Sequence, residues 1–182
     1  MVQAHETPQA VIEFWEAAGP QRWFSKDAAF DGAFRSRFFD LHLQAARREL
    51  EPWLDSPEGA LALLILLDQY PRNAFRGTGH MFATDPLACE YARQAVDAKL
   101  DEGVAEALRQ FFYLPFEHSE RSEDQNLSVA FNRGLGEEPL RWALVHAEII
   151  ERFGRFPHRN ALLGRETTSE EAAFLDSGGF AG

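Results

Sequence analysis

The sequence predicts an all-α protein, and three observations lead to this prediction. Proline directly follows Thr7, Ser56 and Asp85, which is typical of a helix N-cap followed by the first helical turn. Strand patterns, in which apolar and polar residues alternate and β-branched residues are common, are sparse. Apolar residues recur at helical spacing in a stripe formed by Phe30, Phe34, Phe38, Leu41 and Ala45. We therefore expect seven to eight helices, stacked as antiparallel pairs in a short solenoid or a bundle.

Three helices are expected in the first part of the chain. The first begins after Thr7 and ends at Gly19, and the second covers about residues 26–50, with the aromatic stripe in the core. The third begins at Ser56. We expect Pro71 to end it, because proline disfavours the helical conformation in the residue before it.

The next two helices have less regular boundaries. The fourth extends from Asp85 to about Gly103. The fifth contains Pro115 within an apolar helical pattern, so we expect a kink or a break there, just before Glu117 and His118.

Cap residues mark the last three helices. Ser122 and Gln125 fit a capping box at the start of the sixth helix, and Gly154 is expected to end the seventh. Thr168, with Glu171 as its partner, is expected to cap a short eighth helix. The tail after this helix is expected to be loose.

The length of the chain fits a single domain of residues 1–182. The cysteine content and the start of the chain lead us to expect a cytoplasmic protein. The chain has one cysteine, Cys89, which we expect to be buried and unreactive, and no signal-peptide pattern at its start. Its net charge of -11 argues against general affinity for nucleic acids or anionic membranes. No Gly-rich phosphate loop or metal-ligand pattern is present, so we expect neither a cofactor nor a metal.

A basic sequence pattern occurs twice in this acidic chain. The first basic turn (residues 67–78) and the second basic turn (residues 152–168) each combine an aromatic residue and a proline with Arg-Asn-Ala, Arg, Gly and Thr. As turn residues, Asn73 and Asn160 can adopt a left-handed conformation or bond back to the chain, and Gly77 and Gly164 can supply a positive φ. The repeated pattern predicts that the two turns lie near each other.

The basic residues have two interpretations. Internal carboxylates and helix ends can pair with them, or both turns can form an anion site for a small anion or an acidic peptide, since the arginine fork suits carboxylate and phosphate. The residues predicted to bind such a ligand are Arg72, Asn73, Arg76, Arg155, His158, Arg159, Asn160 and Arg165.

An enzymatic function is a further hypothesis. His118 is then the general acid or base, Glu117 or Asp124 orients it, and the arginines hold an anionic substrate. The structural interpretation is that Glu117 pairs with an arginine and His118 packs at the end of the bundle. We expect His146 to be buried, with its hydrogen bonds made internally.

Two further histidines, His5 and His42, are expected at the surface.

A purely structural or interaction module is the third functional hypothesis. A pocket that joins the two turns and His118 would favour binding or catalysis, whereas a fully paired cluster of charges would favour the structural module.

The sequence also resembles a known family. The strings at residues 66–78, 82–88, 114–120 and 152–171 resemble those of the bacterial family catalogued as domain of unknown function 924, over about residues 11–175. This resemblance implies an all-helical, tetratricopeptide-like fold. It implies no activity, and therefore no catalytic residues.

Overall fold

The computed structural model describes residues 6–180 and 182, and in that part of the chain every regular element is helical. The α-helical segments are α1 (Pro8–Ala18), α2 (Pro20–Trp23), α3 (Ala28–Ala46), α4 (Pro57–Leu64), α5 (Tyr70–Ala74), α6 (Asp85–Asp97), α7 (Glu106–Glu117), α8 (Ser122–Asn132), α9 (Glu137–Phe153), α10 (Asn160–Leu163) and α11 (Ser169–Asp176). Short 3-10 turns lie at Glu51–Asp55, Gly79–Phe82, Leu100–Gly103 and Pro157–Arg159. A π-helical turn at Ile65–Gln69 joins α4 and α5 into one rod, so the described residues form ten helices rather than the seven to eight predicted.

Several predicted boundaries are confirmed by their cap geometry. The side-chain oxygens of Thr7 and Ser56 accept hydrogen bonds from the main chain of the first turns of α1 and α4, at 3.3 and 3.1 Å. Thr168 and Glu171 form the predicted capping box of α11. Gly154 ends α9 in the left-handed conformation, with φ of 68°.

Other boundaries differ from the prediction. Helix α3 is shorter than residues 26–50, because Asp27 caps its first turn and accepts from two main-chain N–H groups. Helix α6 ends at Asp97, and the chain reaches Gly103 through a 3-10 turn. Pro115 neither ends nor splits α7, which continues to Glu117 with an apolar face buried in the core.

The predicted capping box at Ser122 is wrong. Ser122 is the first residue of α8 and caps nothing, while Gln125 is 2% exposed. The amide of Gln125 donates to the carbonyls of Phe116, Glu117 and Ser119 at 3.3, 2.8 and 2.6 Å. Because these carbonyls lie at the end of α7 and just after it, Gln125 joins α7 to α8 instead of closing its own helix.

The main core surrounds α4. The apolar residues 60–67, which belong to α4 and to the π turn after it, have at most 1% of their surface exposed. Helix α4 contacts α1, α6 and α7. In a solenoid, each repeat contacts only its neighbours. A central helix with partners from distant parts of the chain is a different arrangement, so the tetratricopeptide-like solenoid is not confirmed. None of the helices in the described residues has the length and apolar character needed to cross a bilayer.

A second, smaller core lies in the last part of the chain. Ile149, Ile150 and Phe156 are buried there, separately from the main core. The ring of Phe180 lies 4.5 Å from that of His146 and 5.3 Å from that of His158. The tail is therefore packed at Phe180, in contrast to the loose tail predicted.

Candidate functional site

The first basic turn does not end its helix at Pro71. The chain instead widens into the π turn at Ile65–Gln69, in which the N–H of Tyr70 donates to the carbonyl of Ile65, five residues back. Pro71 has no N–H group to donate. The carbonyls of Leu66 and Leu67 therefore lack their usual main-chain donors from Tyr70 and Pro71.

Side chains from two other elements bind these carbonyls. Nδ1 of His42 donates to the Leu66 carbonyl at 2.9 Å, and Oγ1 of Thr84 donates to the Leu67 carbonyl at 2.5 Å. His42 is only 1% exposed, and its ring stacks on that of Tyr70 at 4.8 Å. The prediction that His42 lies at the surface is therefore wrong, while His5 lies outside the described residues.

The π turn presents Asp68 to the centre of the site. Its side chain is 1% exposed, and its Oδ1 lies 2.7 Å from Nδ1 of His118 and 3.2 Å from Nη1 of Arg72. The amide of Gln69 donates to Oδ2 at 2.6 Å. Burial alone would raise the pKa of Asp68, but Arg72 and His118 outweigh it and lower this pKa to about 2. Asp68 is therefore an ionised carboxylate within the protein.

Asp85 joins the two basic turns. Arg72 donates to both of its oxygens at 2.9 and 3.1 Å, and Arg159 donates to Oδ2 at 3.0 Å. The prediction that the two turns lie near each other is thus confirmed. The guanidinium of Arg159 also lies between the rings of Phe82 and Phe156, 4.5 and 4.6 Å from their centroids.

His118 lies beside this ion-pair cluster, which we define as Asp68, Arg72, Asp85 and Arg159. An ionised carboxylate only accepts hydrogen bonds, so Nδ1 of His118 carries the proton toward Asp68 and Nε2 carries the lone pair. Among the described residues Nε2 has no hydrogen-bond partner, and the side chain is 15% exposed.

The charge state of His118 follows from its surroundings. Burial, followed by the charge of Arg72, lowers the pKa of His118, although Asp68 and Asp85 act in the opposite direction. The ring of His146 lies 6.4 Å away. His118 is therefore a neutral imidazole near pH 7.

Glu117 lies away from the imidazole of His118. Its Oε1 is 3.2 Å from Nδ1 of His146, which donates to the Trp142 carbonyl at 2.9 Å. Burial and the nearby charge of Asp68 raise the pKa of Glu117 to about 8, and burial lowers the pKa of His146 to about 3. This contact therefore joins two neutral groups. His146 is buried and hydrogen-bonded, as predicted.

Asp124, the other carboxylate predicted to orient His118, belongs to a separate cluster. It pairs with Arg93, accepts from Ser119 at 2.6 Å and contacts Sγ of Cys89 at 3.4 Å. Burial, and then Asp124, raise the pKa of the Cys89 thiol to about 12, which fits the predicted unreactive residue. The residue that orients His118 is thus Asp68, and neither Glu117 nor Asp124.

The other residues of the first basic turn point away from the ion-pair cluster. Asn73 and Arg76 both bind Asp31, at 2.7 and 2.9 Å. Asn73 is helical, so the turn conformation predicted for it is wrong. Gly77 does supply the expected positive φ, 80°, and Gly164 supplies one of 64° in the second basic turn.

The second basic turn is held by two acidic residues. Arg155 donates to both oxygens of Glu171 at 2.6 and 2.9 Å, and Arg165 donates to both oxygens of Glu120 at 2.7 and 3.0 Å. Asn160 is helical instead of left-handed, and its side chain bridges Glu171 and Arg165 at 3.2 and 2.9 Å. Of the eight residues predicted to bind a ligand, Arg72 and Arg159 are the two in the ion-pair cluster.

The cluster is electrically balanced. Arg72 and Arg159 supply two positive charges, and Asp68 and Asp85 supply two negative ones. This pairing favours the internal interpretation of these arginines. Two surface grooves lie away from this cluster, one of about 330 Å³ beside Phe30 and one of about 130 Å³ beside Phe153. Among the described residues, no group of three or more His, Cys, Asp or Glu side chains could hold a metal ion.

The role of Asp85 could not be read from the sequence. The Asp85–Pro86 pair indicates a helix start, and Asp85 is indeed the first residue of α6. Its ion pair with Arg159 spans 74 positions and leaves no local signal. The role of Thr84 is hidden in the same way, because its partner is a main-chain carbonyl.

Glu117 gives the site a pH dependence with a clear sign. The pKa of this group is 4.5 in the unfolded chain and about 8 in the fold, so the native state holds an extra proton between these values. The contribution of Glu117 to stability should therefore fall as the pH rises from 4.5 to 8, by up to about 1.4 kcal/mol per pH unit. The buried histidines act in the opposite direction below about pH 6.5 in wild type and variant alike, because their pKa values are lowered. Glu117→Gln removes this titration, so its stability relative to wild type should rise over the same range.

Urea unfolding at pH 5, 6, 7 and 8 checks this prediction. Glu120→Gln is the matched control, since the pKa of Glu120 is lowered and its titration lies below this range. Parallel stability curves for wild type and Glu117→Gln would contradict a neutral buried Glu117.

Comparisons with known proteins agree with this fold and give no activity. A family model described as bacterial protein of unknown function, domain of unknown function 924, matches residues 11–179. A solved protein of unknown function from Agrobacterium tumefaciens is 53% identical, with a TM-score of 0.91 over 93% of this chain and 97% of that one. No curated protein matches the chain.

Proposed function

The chain belongs to the bacterial family described as domain of unknown function 924, and we propose that it is an enzyme in which His118 acts as a general base on a small anionic substrate. One observation carries the proposal. The imidazole is held through Nδ1 by the buried carboxylate of Asp68 at 2.7 Å, while Nε2 is left without a partner among the described residues. A carboxylate that fixes the tautomer and orientation of a histidine is the usual support of a general base.

The electrostatic surroundings support this role. A general base must be unprotonated at the working pH, and the lowered pKa of His118 meets this condition. Arg72 and Arg159 both donate to Asp85, and Arg159 also donates to the carbonyl of His118 at 2.9 Å. Asp68 and Asp85 balance these two positive charges, so an anionic substrate would have to compete with a carboxylate for an arginine.

Hydrolysis of small activated esters tests the proposal. We expect the wild type to hydrolyse p-nitrophenyl hemisuccinate, and His118→Gln to be at least about tenfold slower, since general-base catalysis contributes about 10²–10⁴-fold. The rate should rise with pH through a midpoint below 6.5, because the pKa of His118 is lowered. His80→Gln is the control, since the ring of His80 lies 4.0 Å from that of Phe75 and outside the ion-pair cluster. Equal rates for wild type and His118→Gln would contradict the proposal.

Binding of a small anion or an acidic peptide is the second candidate function. Among the described residues, Nε of Arg159 and Nδ1 of His158 are buried without hydrogen-bond partners. Such atoms favour a ligand that supplies acceptors. The ligand would have to compete with Asp85 for Arg159, because this carboxylate already holds the guanidinium. For the third candidate, a structural module, the support is the balanced charge of the ion-pair cluster.

A further inference from the structure

The π turn that carries Asp68 is held open by side chains from three separate elements. Three consecutive carbonyls, those of residues 66, 67 and 68, each accept a hydrogen bond from a side chain. The donors are His42 of α3, Thr84 just before α6, and Arg72 of α5, at 2.9, 2.5 and 2.8 Å. We propose that Thr84 and His42 are positioning residues, which act on His118 through the π turn and Asp68; this inference rests on the proposed role of His118 as a general base.

The first step of the argument concerns the shape of the helix. A π turn contains one residue more than the α-helical turn that it replaces. Since each residue of an α-helix turns the chain by about 100°, a return to regular α-helix would rotate the two sides of the turn against each other by about that angle. Asp68 and Arg72 would then be unable to keep His118 and Asp85 as partners at the same time.

The second step concerns the two freed carbonyls. Both lie in the main core, where Leu66 and Leu67 are 0% exposed, so water does not reach their main chain as an alternative donor. His42, at 1% exposure, replaces Tyr70 as the donor to the Leu66 carbonyl, and Thr84, at 8% exposure, supplies the donor to the Leu67 carbonyl that Pro71 lacks. The open π turn therefore depends on these two side chains.

The third step connects Thr84 to the rest of the site. Its neighbour Asp85 binds both arginines of the ion-pair cluster. Thr84 thus holds the π turn through its hydroxyl, and the adjacent Asp85 holds the two basic turns together through its carboxylate. This arrangement makes the hydroxyl of Thr84 a determinant of the distance between Asp68 and His118.

The test separates the effect of the Thr84 hydroxyl as a hydrogen-bond donor from the effect of the shape of the Thr84 side chain. Thr84→Val keeps the shape and removes the donor, whereas Thr84→Ser keeps the donor. The measurement is an NMR titration of the His118 imidazole, in which the nitrogen chemical shifts report the tautomer. In Thr84→Val we expect the Nδ1–H tautomer to lose population and the pKa of His118 to fall below its wild-type value, since Asp68 raises this pKa. Thr84→Ser should keep the wild-type values.

A second variant covers the case in which Thr84→Val does not fold. His42→Phe keeps a ring against Tyr70 and removes the donor to the Leu66 carbonyl, so it should shift the His118 tautomer in the same direction. An unchanged tautomer and pKa of His118 in a folded Thr84→Val or His42→Phe protein would overturn the inference. The readout needs no substrate. A loss of positioning is therefore distinguishable from a failure of the ester-hydrolysis test, which would contradict the catalytic role alone.

Discussion

Arg159→Ala is expected to lower the free energy of unfolding by about 3 kcal/mol. The side chain of Arg159 is 7% exposed and pairs with Asp85, and removal of one partner of a buried ion pair costs about 3–5 kcal/mol. We expect the lower end of this range, because Asp85 keeps its two hydrogen bonds to Arg72. The variant also loses the packing of the guanidinium between Phe82 and Phe156 and the donor to the His118 carbonyl.

Urea unfolding measures this effect, and Arg37→Ala is the matched control. Arg37 also donates twice to a carboxylate, that of Glu6, but its side chain is 44% exposed. Exposed pairs contribute about 0–1 kcal/mol, so this variant should stay close to wild type. Arg159→Met, which restores apolar volume, should recover part of the loss.

The same variants distinguish internal pairing from an anion site. If Arg159 is held ready for an anion, Arg159→Ala should stay within about 0.5 kcal/mol of wild type. Phosphate or citrate should then raise the melting temperature of wild type and leave that of the variant unchanged. That pair of results would contradict the predicted loss of 3 kcal/mol and would favour the binding function.

Phe34→Ala is expected to cost about 3–5 kcal/mol, the usual range for truncation of a buried Phe. Phe34 is 0% exposed in the middle of α3. Five rings lie within 5.1–5.7 Å of its own, those of Phe14, Trp15, Phe30, Phe38 and Tyr70. Because these rings belong to three different helical segments, they cannot all move to fill the space that the variant leaves.

Thermal and urea unfolding of Phe34→Ala and Phe39→Ala provide the comparison. Phe39 lies on the same helix but is 40% exposed, so its truncation removes less buried surface and should cost about 1 kcal/mol or less. If both variants lose the same stability, Phe34 is not a central residue of the core.

Local chemistry determined which features could be predicted from the sequence. Thr7, Ser56, Gly154 and Thr168 each act on the main chain within a few residues, so their roles are visible in the sequence. The aromatic stripe of α3 follows from helical spacing in the same way. Such signals identified the helical class and most boundaries, although they undercounted the short helices.

The errors share a different cause. The spacing of Ser122 and Gln125 predicts a capping box, but carbonyls at the end of α7 bind the Gln125 amide instead. The sequence predicts a surface position for His42. In the structure His42 is buried, because the π turn leaves the Leu66 carbonyl free to accept from its ring. The sequence near His118 offers Glu117 and Asp124 as its partners, whereas Asp68 lies 50 positions away. In each case a distant group decided the outcome.

The division into two hydrophobic cores has a consequence for motion. The smaller core contains Ile149, Ile150 and Phe156. The elements around it bury less apolar surface than α4 and its neighbours do. Regions with little buried apolar surface open at lower free-energy cost than the centre of a protein. Opening of this last part of the chain would pull Arg159 away from Asp85 while the main core stays folded. The ion pair between Arg159 and Asp85 therefore connects the region of the smaller core to the region of the main core, and His118 lies beside this ion pair.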